Sequence, residues 1–191
     1  MKPYLKIRYV LDWLFALAIF PFCIPLLIII SVGQFFVFGD ILFTQQRTGL
    51  KGRIFTIFKF KTMFDDMTLQ ELERIPSWGQ FLRKTGLDEL PQILNILSGT
   101  MVFIGPRPLL PEYDALYSEV QKQRLNIKPG ITGLAQAMHR NDTSWNLRFR
   151  EDLYYVTQAS VVLDLKIIYR SLRPLLNRKS EAILPPFDGN E

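Results

Sequence analysis

Apolar and polar positions divide this chain into two unequal parts. From Trp13 through Gly39 no charged residue occurs. That is about 27 positions, which as a straight helix would reach roughly 40 Å against a hydrocarbon core near 30 Å. Length alone therefore permits a membrane-spanning helix, but two features argue for another arrangement. Pro21 and Pro25 stand four apart in the middle of the run. Each interior proline removes an amide and clashes with the carbonyl four residues back, here Leu17 and Pro21, at about 3 kcal/mol or more. Basic residues also flank both ends, with Lys2, Lys6 and Arg8 before the run and Arg47, Lys51, Arg53, Lys59 and Lys61 after it. Basic flanks prefer the cytoplasmic side, so a helix that enters and returns keeps both clusters inside, whereas a span separates them. The expectation is a re-entrant helix over residues 1–39, broken near Pro21 and Pro25, followed by a cytoplasmic domain over 40–191. A single span ranks second. A cleaved signal peptide ranks third, because the run is far longer than the usual roughly 7–15 apolar residues and no A-x-A site follows.

Beyond Gly39 the period changes. Ile41 to Gln46 reads as a strand, Gly49-Leu50-Lys51-Gly52 as a turn, and Phe55 to Met63 as a second strand. Its alternation places Phe55, Ile57, Lys59 and Lys61 on one face and Thr56, Phe58, Phe60 and Thr62 on the other, which makes a short hairpin. Helices are expected at Leu69 to Arg74, Gly79 to Lys84, Glu89 to Leu97, Pro111 to Leu125 and Ser144 to Tyr155. Gly105-Pro106-Arg107-Pro108 and Lys128-Pro129-Gly130-Ile131-Thr132-Gly133 read as loops, since proline and glycine interrupt any regular pattern. Val161 to Leu176 is amphipathic, with Val161, Leu165, Ile168, Leu172 and Leu175 opposite Lys166, Arg170 and Arg173. That face suits either the membrane interface or a domain core. The final Pro185-Pro186-Phe187-Asp188-Gly189-Asn190-Glu191 carries no strong structural signal. The fold class is α/β, mostly helical with a small β-sheet, with membrane-surface helices beside the N-terminal one.

Composition narrows the chemistry only a little. The 191 residues fit one domain plus an anchor. A formal charge of +5 favours anionic partners. Nucleic acid is disfavoured among them, because the basic residues are dispersed and no recognised motif is present. Cys23 is the one cysteine, which excludes an intrachain disulfide and a Cys/His zinc cluster. There is no Walker loop, no G-x-G-x-x-G and no G-x-S-x-G elbow, and the sole histidine, His139, reads as a polar loop residue.

The chemistry-bearing stretch is Arg83-Lys84-Thr85-Gly86-Leu87-Asp88-Glu89-Leu90-Pro91-Gln92. The plain role for Asp88 is an N-cap on the helix that follows. The alternative is phosphoryl chemistry: a carboxylate can attack phosphorus and form an aspartyl phosphate, dividing one displacement into two. Because anion then meets anion, a hard divalent cation such as Mg²⁺ and bidentate arginines are required. Asp88 and Glu89 supply the carboxylates. Arg83 and Arg107 are candidate clamps, the latter between two prolines, and Lys59 is a candidate phosphate contact. With the apolar run, the dyad points to a lipid substrate and a membrane-surface transferase.

Taken in order, the segments resemble the bacterial sugar transferase family, the monotopic phosphoglycosyl transferases. The matching pieces are Phe43-Thr44-Gln45-Gln46-Arg47-Thr48-Gly49, Phe58-Lys59-Phe60-Lys61-Thr62-Met63, Leu87-Asp88-Glu89-Leu90-Pro91-Gln92, Ile104-Gly105-Pro106-Arg107-Pro108, Lys128-Pro129-Gly130-Ile131-Thr132-Gly133-Leu134-Ala135-Gln136 and Leu163-Asp164-Leu165-Lys166. They cover nearly the whole chain, and its short length looks most like the small PglC-type members. The resemblance implies Mg²⁺ dependence, Asp88 as nucleophile and Glu89 as metal-associated acid, with Arg83 and Arg107 near the phosphates. It also implies a monotopic place on the cytoplasmic face of the bacterial inner membrane. There a sugar phosphate would pass from a UDP-sugar, such as UDP-N,N'-diacetylbacillosamine or another amino sugar, to undecaprenyl phosphate, releasing UMP. One departure is that after Ala135-Gln136 the family continues toward Asn-Gly-Arg, where this chain has Met138-His139-Arg140. Arg140 is retained as a candidate contact in a changed loop. The rival readings are a nucleotide-sugar hydrolase and a non-enzymatic, membrane-tethered anion-binding protein.

Overall fold

The computed structural model describes residues 3–66, 68, 73–138, 144–172 and 186–189. Helix α1 runs from Pro3 to Phe38. Leu5, Tyr9, Ala16, Ile19, Cys23, Leu27 and Ile30 recur along it at three- and four-residue spacing and pack on three successive core clusters. One stripe of the helix is thus seated on the body from end to end. The break expected at the prolines is absent, for α1 continues through Pro21 and Pro25, both on its exposed side. Each ring clashes with a carbonyl on that outer side, so any bending closes the helix onto the body, and the packed stripe offsets the lost hydrogen bonds. The outer face stays apolar and uncovered, with Phe22 at 82% and Phe36 at 80% exposure. Such a face marks a contact with lipid or protein.

The hairpin forms as the alternation predicts, from β1 (Leu42–Thr48) and β2 (Ile54–Phe60). Its antiparallel register pairs Phe43 with Lys59, Gln45 with Ile57 and Arg47 with Phe55, so these six share one face. β2 ends at Phe60, which leaves Lys61 beyond the strand, paired with Asp40 at 3.0 Å and Asp65 at 2.7 Å. The open edge of β2 is covered by Asn95, whose Nδ2 donates to the Thr56 carbonyl (2.7 Å) and whose Oδ1 accepts from the Phe58 amide (3.2 Å).

Three expected elements differ. The helix expected from Glu89 to Leu97 is a 3₁₀ segment, Leu87–Gln92, followed by the short α3, Ile93–Leu97, because Pro91 has no amide to continue an earlier α-helix. The helix expected from Pro111 to Leu125 is two 3₁₀ segments, Pro111–Ala115 and Gln121–Asn126. Ser118 and Gln121 separate them with reciprocal bonds, Gln121 N to Ser118 Oγ (3.2 Å) and Ser118 N to Gln121 Oε1 (2.9 Å). That is a capping box, which starts a new helix rather than continuing the old one. The Pro-Gly stretch read as a loop contains β4 (Gly130–Thr132), parallel to β3 (Val102–Ile104). A Cβ on Gly130 would lie 2.1 Å from the Gly105 amide, so glycine serves the close approach of two backbones, not a turn. The helix expected over Leu69 to Arg74 lies largely outside the described residues, and Glu73 and Arg74 form a turn.

The remaining helices are α2 (Ser77–Thr85), α4 (Leu134–Met138), α5 (Trp145–Gln158) and α6 (Val161–Leu172). Ser144 caps α5 by accepting from the Leu147 amide at 3.3 Å. α6 meets the core through Asp164 and Ile167, while Val161, Leu165, Ile168 and Leu172 stay exposed, so its aliphatic stripe is not a core face. Residues 173–176 lie outside the described part. The C-terminal stretch, read as featureless, places Phe187 at 3% exposure among Tyr117, Trp145 and Phe149.

Candidate active site

Gly86 ends α2 in the left-handed region (φ 73°), its amide donating to the Arg83 carbonyl at 3.3 Å. The chain then turns directly into the 3₁₀ segment that carries Asp88 and Glu89. In a 3₁₀ helix, residues three apart eclipse. Leu87 and Leu90 therefore project together, packing on Ile30, Phe60 and Leu82, and the two acids between them point elsewhere. The N-cap role available to Asp88 is not taken up: it lies inside the 3₁₀ segment, whose cap residue is Gly86, and no side chain caps that end.

The two acids meet different surroundings. Lys59 Nζ donates to Glu89 Oε1 at 2.6 Å, and Arg107 Nη1 stands 3.5 Å from the same oxygen. Burial works against ionisation of Glu89, but Lys59 and Arg107 outweigh it and hold the carboxyl down at about 2. Burial, and after it the neighbouring Glu89 carboxylate, push Asp88 up to about 6 from an ordinary 3.8, against the pull of Lys59, Arg107 and Arg83. Adjacent carboxyls are thereby separated, one charged throughout and one that ionises just below neutrality. Arg83 is fixed by a 2.8 Å bond from its Nε to Thr62 Oγ1. Lys59, Arg83 and Arg107, all expected from the sequence, thus converge on the dyad. Pro21 and Pro25 lie on the outer side of α1. Arg140 and His139 fall outside the described residues.

The loop bearing Arg107 is fastened along its backbone. Arg8 Nη2 donates to Ile104 O (2.6 Å), Gly105 N to Thr132 O (2.9 Å), Gly130 N to Pro106 O (3.0 Å), Arg124 Nη2 to Arg107 O (2.6 Å) and Thr48 N to Leu109 O (3.0 Å). Arg124 is itself buried against Asp152 at 2.7 Å. Arg8, from α1, meets Asp164 at 3.1 Å, and that carboxylate also accepts from Tyr4 and Tyr155. These supports escape sequence reasoning, because a buried arginine looks like a surface one until its distant partner is known. Arg47 reads in the sequence as a flanking charge inside a segment of the family resemblance, with no site role, yet register sets it on the same hairpin face as Lys59.

Among the described residues no three His, Cys, Asp or Glu side chains converge, and Glu89 Oε1 of the dyad already faces Lys59 and Arg107. Two hard oxygen donors beside an anion site fit Mg²⁺, which takes one or two carboxylates and completes its shell with water and substrate phosphate.

The chain matches the family described as bacterial sugar transferase over residues 4–178. It is 42% identical over 167 residues to the uncharacterized sugar transferase EpsL of Bacillus subtilis (strain 168), covering 83% of each chain. It is 39% identical over 173 residues to the UDP-glucose:undecaprenyl-phosphate glucose-1-phosphate transferase of Xanthomonas campestris pv. campestris, covering 82% of this chain and 36% of that one. To the undecaprenyl-phosphate galactose phosphotransferase of Salmonella typhimurium it is 32% identical over 162 residues, covering 73% of this chain and 34% of the relative. The chain therefore spans most of EpsL and about a third of the two longer relatives.

Proposed function

This chain belongs to the bacterial sugar transferase family, and from that membership we propose that it transfers a sugar phosphate from a UDP-sugar to undecaprenyl phosphate, releasing UMP. The observation that carries this reading is the dyad, with its two carboxyls pushed apart in acidity and ringed by Lys59, Arg83 and Arg107. In the first step an Asp88 oxygen attacks the sugar-bearing phosphorus. A P–O bond to that phosphorus forms, the bond to the diphosphate bridging oxygen breaks, and UMP leaves with the electron pair. In the second step a phosphate oxygen of undecaprenyl phosphate attacks the same phosphorus and frees the Asp88 carboxylate. Lys59, Arg83 and Arg107 neutralise the charge that makes anion-on-anion attack slow. Asp88 and Glu89 would hold Mg²⁺ together with substrate phosphate, and the ion when bound supplies further Lewis-acid neutralisation.

The apolar outer faces of α1 and α6 support a monotopic seat on the cytoplasmic side of the bacterial inner membrane. A helix seated along its whole length on a charged body cannot stand across a bilayer without drawing that body in. Two of the relatives named above are called glucose and galactose enzymes, so UDP-hexoses belong in the donor panel beside UDP-N,N'-diacetylbacillosamine. The test is UMP release across that panel with and without undecaprenyl phosphate. The proposal predicts sustained release for one donor only when the lipid is present. Sustained release without lipid would instead make the protein a nucleotide-sugar hydrolase.

A further inference from the structure

We propose that Arg47 and Arg107 form a two-guanidinium seat for the diphosphate of the nucleotide donor, with Arg47 holding the phosphate on the nucleoside side. The inference rests on the donor reading above. It begins from the hairpin register, in which Arg47, opposite Phe55, and Lys59, opposite Phe43, occupy one face. Four strand positions separate Lys59 from Phe55, roughly 13 Å. The Lys59 end of that face lies under the dyad, through the 2.6 Å bond to Glu89. At the other end, the residue after Arg47 stitches its amide to Leu109, two residues past Arg107. β1 thereby delivers Arg47 to the loop that carries Arg107.

Lys59 pairs with Glu89, Glu89 with Arg107, and the charge of Arg107 in turn acts on Arg47. Arg47 is half-buried, and among the described residues no carboxylate stands within 4 Å of it. Its guanidinium is instead turned by a bond to Gln45 Oε1 on the same face. Burial first, and then the charge of Arg107, bring Arg47 down to about 10, against the weaker opposing pull of Tyr113 and Glu112. A half-buried guanidinium that feels a second cation is a cost to the empty protein that a bridging anion removes, and planar forks match phosphate oxygens in pairs. With the reacting phosphorus at Asp88 and Arg107 beside the dyad, the second phosphate of a diphosphate falls on the Arg47 side. UMP, which keeps that phosphate after cleavage, is therefore the ligand that reports on Arg47.

The experiment measures UMP binding by calorimetry on the full chain in nanodiscs, for wild type, Arg47→Gln, Arg47→Lys and Asp88→Asn, with melting temperatures recorded without nucleotide. Arg47→Gln should weaken UMP binding about tenfold or more, with Arg47→Lys intermediate. Asp88→Asn should bind UMP at least as well as wild type. Melting of both Arg47 variants should stay at or above that of wild type, since a like-charge contact is relieved or kept, not a support removed. Wild-type UMP affinity in Arg47→Gln, or in Arg47→Lys should the glutamine variant not fold, would overturn the seat while leaving the donor reading intact. If wild type itself binds no UMP, the donor reading fails and the seat with it.

Discussion

Asp88 and Glu89 are neighbours in sequence, and their separation in acidity comes from which cations each one touches. Glu89 takes the direct bond from Lys59 and the ion pair with Arg107, and Asp88 is left with burial and with Glu89 as a negative neighbour. Attack by Asp88 needs the carboxylate, which burial and Glu89 make easier to protonate, so kcat/KM should fall with falling pH, about tenfold per pH unit at the limit, and the fall should move to lower pH as Mg²⁺ is raised. A profile whose acid limb does not respond to Mg²⁺ would remove Asp88 from the rate-determining chemistry. The stability sign follows from the same shift. A carboxyl whose folded pKa is raised from 3.8 to about 6 favours the fold while protonated, and that contribution is lost as pH rises through this window. Asp88→Asn, neutral throughout, should therefore melt no lower than wild type at pH 7 while losing transfer activity. Arg107→Lys keeps the charge but not the planar fork, so it should cost at least about tenfold in kcat/KM, whereas a surface arginine would tolerate the change.

At the scale of elements, what was legible depended on whether the deciding partner was local. The hairpin could be read because Phe55, Ile57 and Lys59 alternate within one strand, and α5 because Ser144 announces its start. The dyad segment could be found because Gly86 and Pro91 bracket two acids, although Asp88 as a cap and as a nucleophile look alike until the 3₁₀ geometry is known. By contrast, β4 resembles a turn in sequence, since its glycine answers to β3, about thirty residues earlier. Gly130→Ala should therefore be far worse than a turn glycine replacement. Overpacking of about 1–3 kcal/mol, on the order of 5 °C in Tm, is expected in a thermal melt, with a loss of activity because the Pro106 carbonyl is anchored on Gly130. The supports of the Arg107 loop were likewise hidden, as Arg8 and Arg124 find their acids 156 and 28 positions away.

For the whole molecule, one helix does two jobs. α1 presents large apolar side chains outward and, through Arg8 on its inner side, grips the carbonyl that precedes the Arg107 loop. The run of apolar residues is consistent with a membrane-associated helix, but only the packed stripe along α1 reveals that the body lies beside the helix and not beyond its end. With Cys23→Ser as background, cysteines at Lys6 and Lys51 should both react with a membrane-impermeant reagent only from the cytoplasmic side. Labelling from opposite sides would establish a span and contradict the monotopic seat.

The central claim is the covalent phosphosugar on Asp88, and single-turnover analysis by intact-protein and peptide mass spectrometry tests it most directly. Wild type mixed with donor and Mg²⁺ in the absence of undecaprenyl phosphate should release about one UMP per active site and gain the mass of one sugar phosphate, located on the peptide containing Asp88. The adduct should disappear when the lipid is added and should never form in Asp88→Asn. Lipid-linked product made at a near-normal rate by Asp88→Asn, with no adduct on wild type, would contradict the account.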